Sequence, residues 1–224
     1  MNDIGPLRAY YRTVLPYYDQ SLEARGDLPF WKSIAARWNP ENILELGCGT
    51  GRVTQVLTGH APVIAIDVLV EMLDRATQNA PNAKRVAEDL RELALRSQFD
   101  LIVLADDPMA HLTSTDDRRK AIEAIREHLT ADGRFVLEGL YRPRREAAVI
   151  SRSGVEEAWK PVGPESLWHV TYRFDHTQAT SLVRSWTREE IDHLPLRVES
   201  LWGDFDERAF ERESPRMIIV ARRA

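Results

Sequence analysis

Cysteine is nearly absent from the sequence, since Cys48 is the only one among 224 residues. A lone cysteine forms neither an internal disulfide nor a cysteine-ligated zinc site, and this composition predicts a cytoplasmic location. Long apolar runs are also absent: residues 61–66 end at Asp67, far short of the roughly 20 residues that a membrane-spanning helix needs. We therefore expect no contact with a membrane.

Positive charge is in short supply as well. The chain has 30 Lys and Arg against 35 Asp and Glu, a formal net charge of −5. Proteins that bind nucleic acids use an excess of basic residues to neutralise phosphates, so we expect no nucleic-acid partner. Hydrophobic residues make up 43% of the sequence, which is enough for a buried core.

Short apolar runs alternate with amphipathic segments in the first two thirds of the chain. Such runs are typical of parallel strands that are covered on both faces, and the segments between them have the spacing of helices. This order predicts an α/β fold with a doubly wound sheet. The strand-like runs lie at residues 43–46, 63–66, 101–105 and 135–137.

The flanking segments have different patterns. Apolar residues at helical spacing predict two short helices before residue 40. The alternating stretches Leu167–Phe174 and 180–186 predict an antiparallel hairpin, and Thr187 with Glu190 has the spacing of a helix-capping box. Two more strand-like stretches follow, at Leu196–Trp202 and 217–221.

These patterns fit one domain over residues 1–224, either a monomer or a homodimer. Its predicted parts are a helical cap (1–40), a core (41–140), an insertion forming a hairpin lid (141–186) and a closing helix with strands (187–224).

A glycine-rich loop follows the first strand-like run. It reads Glu45-Leu46-Gly47-Cys48-Gly49-Thr50-Gly51-Arg52, and glycines at this place bring the backbone close to a ligand. The dinucleotide-binding pattern G-x-G-x-x-G would require glycine at position 52, where this chain has Arg52. Asp67 ends the next strand, where a carboxylate can accept hydrogen bonds from both hydroxyls of a ribose, although it could equally cap the following helix.

The spacing G-x-G-x-G after an acidic residue, followed by Asp67, Val86-Ala87-Glu88-Asp89-Leu90 and a fourth strand, resembles the class I S-adenosylmethionine-dependent methyltransferases of small-molecule type. The resemblance covers most of residues 43–140. It implies a Rossmann-like, mostly parallel seven-stranded sheet with an antiparallel last strand, and S-adenosylmethionine as cofactor. It implies cofactor contacts from Glu45, Gly47, Cys48, Gly49, Gly51, Asp67, Val68, Met72, Asp89, Leu90 and Ala105, with Asp89 accepting from the adenine amino group.

The expected reaction is methyl transfer to a small-molecule acceptor, an amine or a hydroxyl, by in-line displacement. His111 follows the strand-like run at residues 101–105, at the edge of the sheet where ligands bind, and is the candidate general base. Tyr18 resembles a tyrosine near the transferred methyl group in small-molecule members of the family. Candidate acceptor contacts are Tyr141, Trp168, His169 and Tyr172, and Arg142, Arg144 and Arg145 could hold an acidic acceptor or form a solvated face.

Other functions remain open at this stage. The main alternative is a non-catalytic module that binds S-adenosylmethionine or S-adenosylhomocysteine. An NAD-dependent oxidoreductase is disfavoured by the glycine spacing and by the absence of a Tyr-x-x-x-Lys pair. We expect no metal, because the adjacent Asp106 and Asp107 do not by themselves define a coordination shell.

Overall fold

The computed structural model describes residues 4–142, 146–152, 154–163 and 166–224. The α-helices in these ranges are α1 (Gly5–Val14), α2 (Tyr18–Leu22), α3 (Leu28–Trp38), α4 (Arg52–Leu57), α5 (Val70–Asn79), α6 (Thr115–His128) and α7 (Arg188–Asp192). The strands are β1 (Ile43–Leu46), β2 (Val63–Asp67), β3 (Lys84–Ala87), β4 (Phe99–Leu104), β5 (Leu129–Gly139), β6 (Ala148–Arg152), β7 (Val155–Val162), β8 (Leu167–Phe174), β9 (Thr177–Arg184), β10 (Leu196–Trp202) and β11 (Met217–Arg223). No helix in the described ranges is long and apolar enough to span a membrane.

The main sheet has seven strands in the order β10-β11-β5-β4-β1-β2-β3. Strand β11 runs antiparallel to both of its neighbours, and the pairs among β1 to β5 are parallel. The expected doubly wound, mostly parallel sheet is therefore confirmed, including its antiparallel last strand. Strands β2 and β4 lie on opposite sides of β1, so the strand order reverses there, and in open α/β sheets ligands bind beside such a reversal.

The core occupies both faces of this sheet. Leu44 and Leu46 point into one apolar cluster and Ile43 into the other, as the alternation of side chains along a strand requires. Helix α3 covers the second cluster with Phe30 and Trp31, which are almost completely buried. Burial on both faces explains why β1 reads as a continuous apolar run broken only by Glu45.

The insertion forms a second sheet of four antiparallel strands, β6-β7-β8-β9, so the predicted two-stranded hairpin is only half of it. Strand β8 has the predicted bounds, whereas β9 begins at Thr177 because the connection is a two-residue turn containing Asp175 with φ 46°. Strands β6 and β7 were not predicted, because charged residues interrupt the apolar pattern of β7. One face of this sheet packs on the N-terminal segment, where the Tyr17 and Phe174 rings stack with centroids 4.8 Å apart.

A single carboxylate joins the two ends of the insertion. Asp107, in the loop after β4, accepts hydrogen bonds from the Leu140 N–H at 2.7 Å and from the Trp186 indole N–H at 3.0 Å. The backbone N–H of Trp186 donates to the Leu140 carbonyl at 2.7 Å. The chain therefore leaves the main sheet and returns to it at the same point. The capping box predicted at Thr187 and Glu190 is present at the start of α7.

Candidate functional site

A cavity of about 440 Å³ lies at the carboxyl ends of β1, β2 and β4, between the main sheet, α1 and the insertion sheet. Its walls bring together most of the residues predicted from the sequence. These are Tyr18, Gly47, Gly49, Asp67, Val68, Met72, Asp89, Leu90, Ala105, His111, Tyr141 and Tyr172.

Five predicted site residues lie elsewhere. Glu45 in β1 and Cys48 in the glycine loop are both buried, and burial raises the pKa of Glu45 to about 8. Gly51 packs against α5, because a Cβ at this glycine would lie 3.1 Å from the backbone of Ala76. Trp168 is fully buried within the insertion, and His169 is exposed on its outer face. The structure therefore does not bring these five side chains to the cavity.

The glycine loop has the left-handed conformation that favours glycine. Gly47 has φ 67° and Gly49 has φ 55°. A Cβ at Gly47 would lie 2.2 Å from Cγ of Pro108, and a Cβ at Gly49 would lie 3.2 Å from the Tyr18 hydroxyl oxygen. The absence of a Cβ at Gly47 lets the loop after β4 approach the glycine loop, and its absence at Gly49 lets the N-terminal helical cap do the same. The three segments thus meet at the cavity.

Asp67 anchors this loop and also lines the cavity. Its Oδ2 accepts from the Gly49 N–H and its Oδ1 from the Leu69 N–H, both at 2.9 Å. Burial raises the pKa of Asp67, and the backbone hydrogen bonds act in the opposite direction. Each carboxylate oxygen retains a lone pair, so the group can accept two further hydrogen bonds from a ligand.

An apolar slot borders the Asp67 carboxylate. Val68, Met72 and Leu90 contribute its side chains, and Asp89 lies beside it. The Asp89 carboxylate caps a short 3₁₀ turn by accepting from the Arg91 N–H at 2.9 Å, and it also accepts from the Arg91 guanidinium. Burial opposes ionisation of Asp89, but the bonds from Arg91 outweigh it and lower the pKa. The slot thus combines apolar side chains with the ionised carboxylate of Asp89, which can accept a hydrogen bond.

His111 lies at the other end of the cavity in contact with α1. Its Nε2 is 2.8 Å from the Tyr11 hydroxyl, and its Nδ1 is 3.4 Å from the Ser181 hydroxyl. Burial lowers the pKa of His111 to about 4, so the imidazole is neutral near pH 7. Burial also raises the pKa of Tyr11, whose phenol stays protonated.

Tyrosine rings surround this histidine, and two of them were missed in the sequence. Tyr10 and Tyr11 on α1 meet edge to face with centroids 4.9 Å apart, and Tyr172 of β8 lies 6.1 Å from Tyr10. Tyr18 completes the cluster 6.1 Å from Tyr11. Leu7, Tyr10, Tyr11 and Val14 have the spacing of one helix face in the sequence. This spacing predicts the face but does not distinguish packing from the wall of a binding site.

A charged network closes the cavity near the β4 loop. Arg25, from the N-terminal cap, donates to Asp106 at 2.7 Å and to Glu138 of β5. Arg216 contacts the same Glu138 oxygen at 3.4 Å. Asp106 and Asp107 both have positive φ, 57° and 43°, which is uncommon outside glycine and marks a strained turn. The network was not predicted, and it ties the cap to the edge of the main sheet.

Comparisons with known proteins agree with this geometry. Residues 43–133 match the family model described as "Methyltransferase domain". A malonyl-[acyl-carrier protein] O-methyltransferase of Bacillus anthracis is 34% identical over 96 residues, which are 41% of this chain and 34% of that protein. A dTDP-3-amino-3,6-dideoxy-alpha-D-glucopyranose N,N-dimethyltransferase of Streptomyces fradiae is 22% identical over 162 residues, 69% of this chain and 64% of that protein.

The fold comparison extends over nearly the whole chain. The crystal structure of an S-adenosylmethionine-dependent methyltransferase from Clostridium acetobutylicum superposes with a TM-score of 0.77 and 20% identity, covering 96% of this chain and 99% of that one. The chain spans between one third and two thirds of the length of the two curated relatives. Residues 43–133 thus resemble a methyltransferase domain, and the chain has the fold of the class I S-adenosylmethionine-dependent methyltransferases.

Proposed function

We propose that this protein transfers the methyl group of S-adenosylmethionine to the nitrogen of a small-molecule amine. The observation that carries the proposal is one continuous cavity with the glycine loop and Asp67 at one end and a neutral His111 at the other. A methyltransferase needs this combination, because the cofactor and the acceptor must meet in line within a site that excludes water.

The first half of the cavity fits the cofactor. The left-handed loop at Gly47 and Gly49 lets the backbone approach a ligand, and Asp67 has lone pairs free for two ribose hydroxyls. The apolar slot of Met72 and Leu90 suits the faces of an adenine ring. When bound, S-adenosylmethionine supplies a methyl group already activated by its sulfonium, so the chain needs no covalent nucleophile.

The second half of the cavity favours an amine over an aliphatic hydroxyl. A hydroxyl whose pKa approaches that of water, about 15.7, is a poor match for a base with the low pKa of His111. A neutral amine attacks with its own lone pair and needs a partner only for its N–H. Burial among aromatic rings lowers the pKa of an amine and so favours its neutral, reactive form.

Tyr11 connects such an amine to His111. We place the Tyr11 hydroxyl proton on the bond to Nε2, which leaves a lone pair of the phenol oxygen facing the cavity. The amine lone pair then forms the new carbon–nitrogen bond while its N–H donates to Tyr11. The product leaves as the ammonium and loses its proton to water outside the cavity, so Tyr11 and His111 orient the amine and do not have to accept its proton.

Other parts of the proposal rest on composition and on the aromatic enclosure of the site. The net charge of −5 and a cavity walled by the main sheet, α1 and the insertion sheet favour a small acceptor over a nucleic acid. A single working domain, a cytoplasmic location and a monomeric or homodimeric state remain predictions.

The test begins with calorimetric titration of S-adenosylmethionine, S-adenosylhomocysteine and NADH. We expect both sulfur nucleotides to bind and NADH to give no signal. An acceptor screen then compares each amine with the alcohol of the same carbon skeleton, with S-adenosylhomocysteine release as the readout. Methylation confined to the alcohols would overturn the amine proposal. Cofactor binding without turnover of any acceptor would favour the non-catalytic module, and NADH binding would favour an oxidoreductase.

A further inference from the structure

Among the described residues, four arginines line the cavity, and three of them are ion-paired with carboxylates. Arg25 contacts Asp106 and Glu138, and Arg91 contacts Asp89 and Asp117. Arg216 contacts Glu138 and Asp204. Such pairing is expected, because a guanidinium withdrawn from water needs a compensating charge.

Arg142, at the start of the insertion, differs from the other three. Within the described ranges no carboxylate forms an ion pair with it, and its buried Nε has no hydrogen-bond partner. Its guanidinium instead lies over the rings of Trp159 and Trp168, 4.3 Å and 5.0 Å from their centroids. The side chain is half-buried, and burial lowers its pKa.

The two tryptophans explain where Arg142 lies but not what balances its charge. Cation–π contacts hold a guanidinium by its flat face and leave the N–H groups at its edge available. Glu157 accepts a hydrogen bond from the Trp159 indole at 3.2 Å and attracts Arg142 without forming an ion pair with it. An N–H edge without an acceptor in the wall of a ligand cavity fits an anionic ligand group, since guanidinium binds carboxylate and phosphate strongly.

We propose that Arg142 binds an acidic group of the acceptor, so that the substrate is an amine that also carries a carboxylate or a phosphate. The amine would lie near His111 and Tyr11, and the acid would lie at the entry to the insertion sheet. This assignment rests on the proposed methyl transfer for its amine half, whereas the anion site itself is independent of catalysis.

Anion binding to the whole protein tests the site without a known acceptor. Sodium pyrophosphate and sodium malonate are titrated calorimetrically at constant ionic strength, with and without saturating S-adenosylhomocysteine. The variants are Arg142→Gln, Arg142→Lys and the control Arg173→Gln. Arg173 is an exposed arginine on the outer face of the insertion sheet, where it forms an ion pair with Glu156. Melting temperatures show whether each variant is folded.

We expect the wild-type protein and Arg173→Gln to bind at least one anion with equal affinity. Arg142→Gln should weaken that binding about 10- to 100-fold, as expected for losing a charge-assisted pair, and Arg142→Lys should retain part of it. Tighter binding of pyrophosphate would assign a phosphate-bearing acceptor, and tighter binding of malonate a carboxylate. No binding to the wild type, or equal binding to Arg142→Gln, would overturn the proposal. Failure of S-adenosylhomocysteine to bind would refute the proposed function separately, because the titrations without it still report on Arg142.

Discussion

Replacing Asp67 by asparagine tests the cofactor half of the cavity most directly. The substitution keeps the size of the side chain but removes its charge and turns one acceptor oxygen into an NH₂ donor. In the folded protein both oxygens accept backbone N–H groups, from Gly49 and from Leu69, and both face the cavity. Asp67→Asn should therefore weaken both the loop anchor and the ligand contact.

The size of the effect follows from the bonds that are lost. One ribose hydroxyl loses its carboxylate acceptor, at about 1.5 kcal/mol, and the other donates to a neutral instead of a charged oxygen, at about 0.5 kcal/mol, which together amount to about 2 kcal/mol. This corresponds to roughly 30-fold weaker binding of S-adenosylhomocysteine. One backbone N–H left facing the new amide NH₂ should also lower the free energy of unfolding by about 1 kcal/mol.

Calorimetric titration with S-adenosylhomocysteine and urea unfolding measure these two quantities. Asp100→Asn is the matched control, because Asp100 also accepts hydrogen bonds, from the Glu41 N–H and the Thr130 hydroxyl, but is not part of the cavity wall. We expect Asp100→Asn to leave affinity unchanged. If Asp67→Asn binds S-adenosylhomocysteine within threefold of the wild type, Asp67 does not hold the ribose and the assignment of the cofactor site is wrong.

Three further predictions concern the acceptor half and the loop. Tyr11→Phe should lower kcat about 100-fold with little change in S-adenosylhomocysteine affinity, because the amine loses the oxygen that orients it. Steady-state kinetics with calorimetry checks this, and an unchanged kcat would show that Tyr11 does not orient the acceptor. Because burial lowers the pKa of His111 to about 4 from an unfolded value near 6.5, its contribution to stability is complete above pH 6.5 and falls by about 3 kcal/mol as the pH drops to 4. Urea unfolding across that range should show a slope that is reduced in His111→Gln, and equal slopes would contradict the burial argument. Gly47→Ala should lower the Tm more than Gly26→Ala. Both glycines have positive φ, but only at Gly47 would the new Cβ lie against Pro108. Equal decreases in Tm would mean that backbone strain dominates and the contact with Pro108 does not.

Local patterns were enough to predict the frame of the site. Strand β1 and the glycine loop at Gly47 follow from an apolar run and a motif within ten residues, and Asp67 follows from the end of the next strand. Contacts between distant segments were beyond such patterns. Tyr11 and His111 are 100 positions apart in the chain, and Arg25 is 113 positions from Glu138. Residue propensities and hydrophobic periodicity predict single helices and strands, so they do not predict which of these elements come into contact.

Two misplaced residues show what strand geometry alone could have decided. Trp168 and His169 are neighbours in β8, and adjacent side chains on a strand point to opposite faces. At most one of them could therefore face the cavity. Trp168 does lie on the inner side with Val170 and Tyr172, but Trp159 and Arg142 cover it.

The meeting of the insertion's two ends at Asp107 has a consequence for how this protein could acquire new substrates. Leu140 and Trp186 both donate hydrogen bonds to the Asp107 carboxylate, so the two ends of the insertion are held together at one place. The entropic cost of closing a loop grows only slowly with its length, so the segment can be shortened, lengthened or exchanged without redesigning the main sheet. For the proposed methyl transfer, the insertion could therefore change its contacts with the acceptor while the cofactor side of the cavity stays the same.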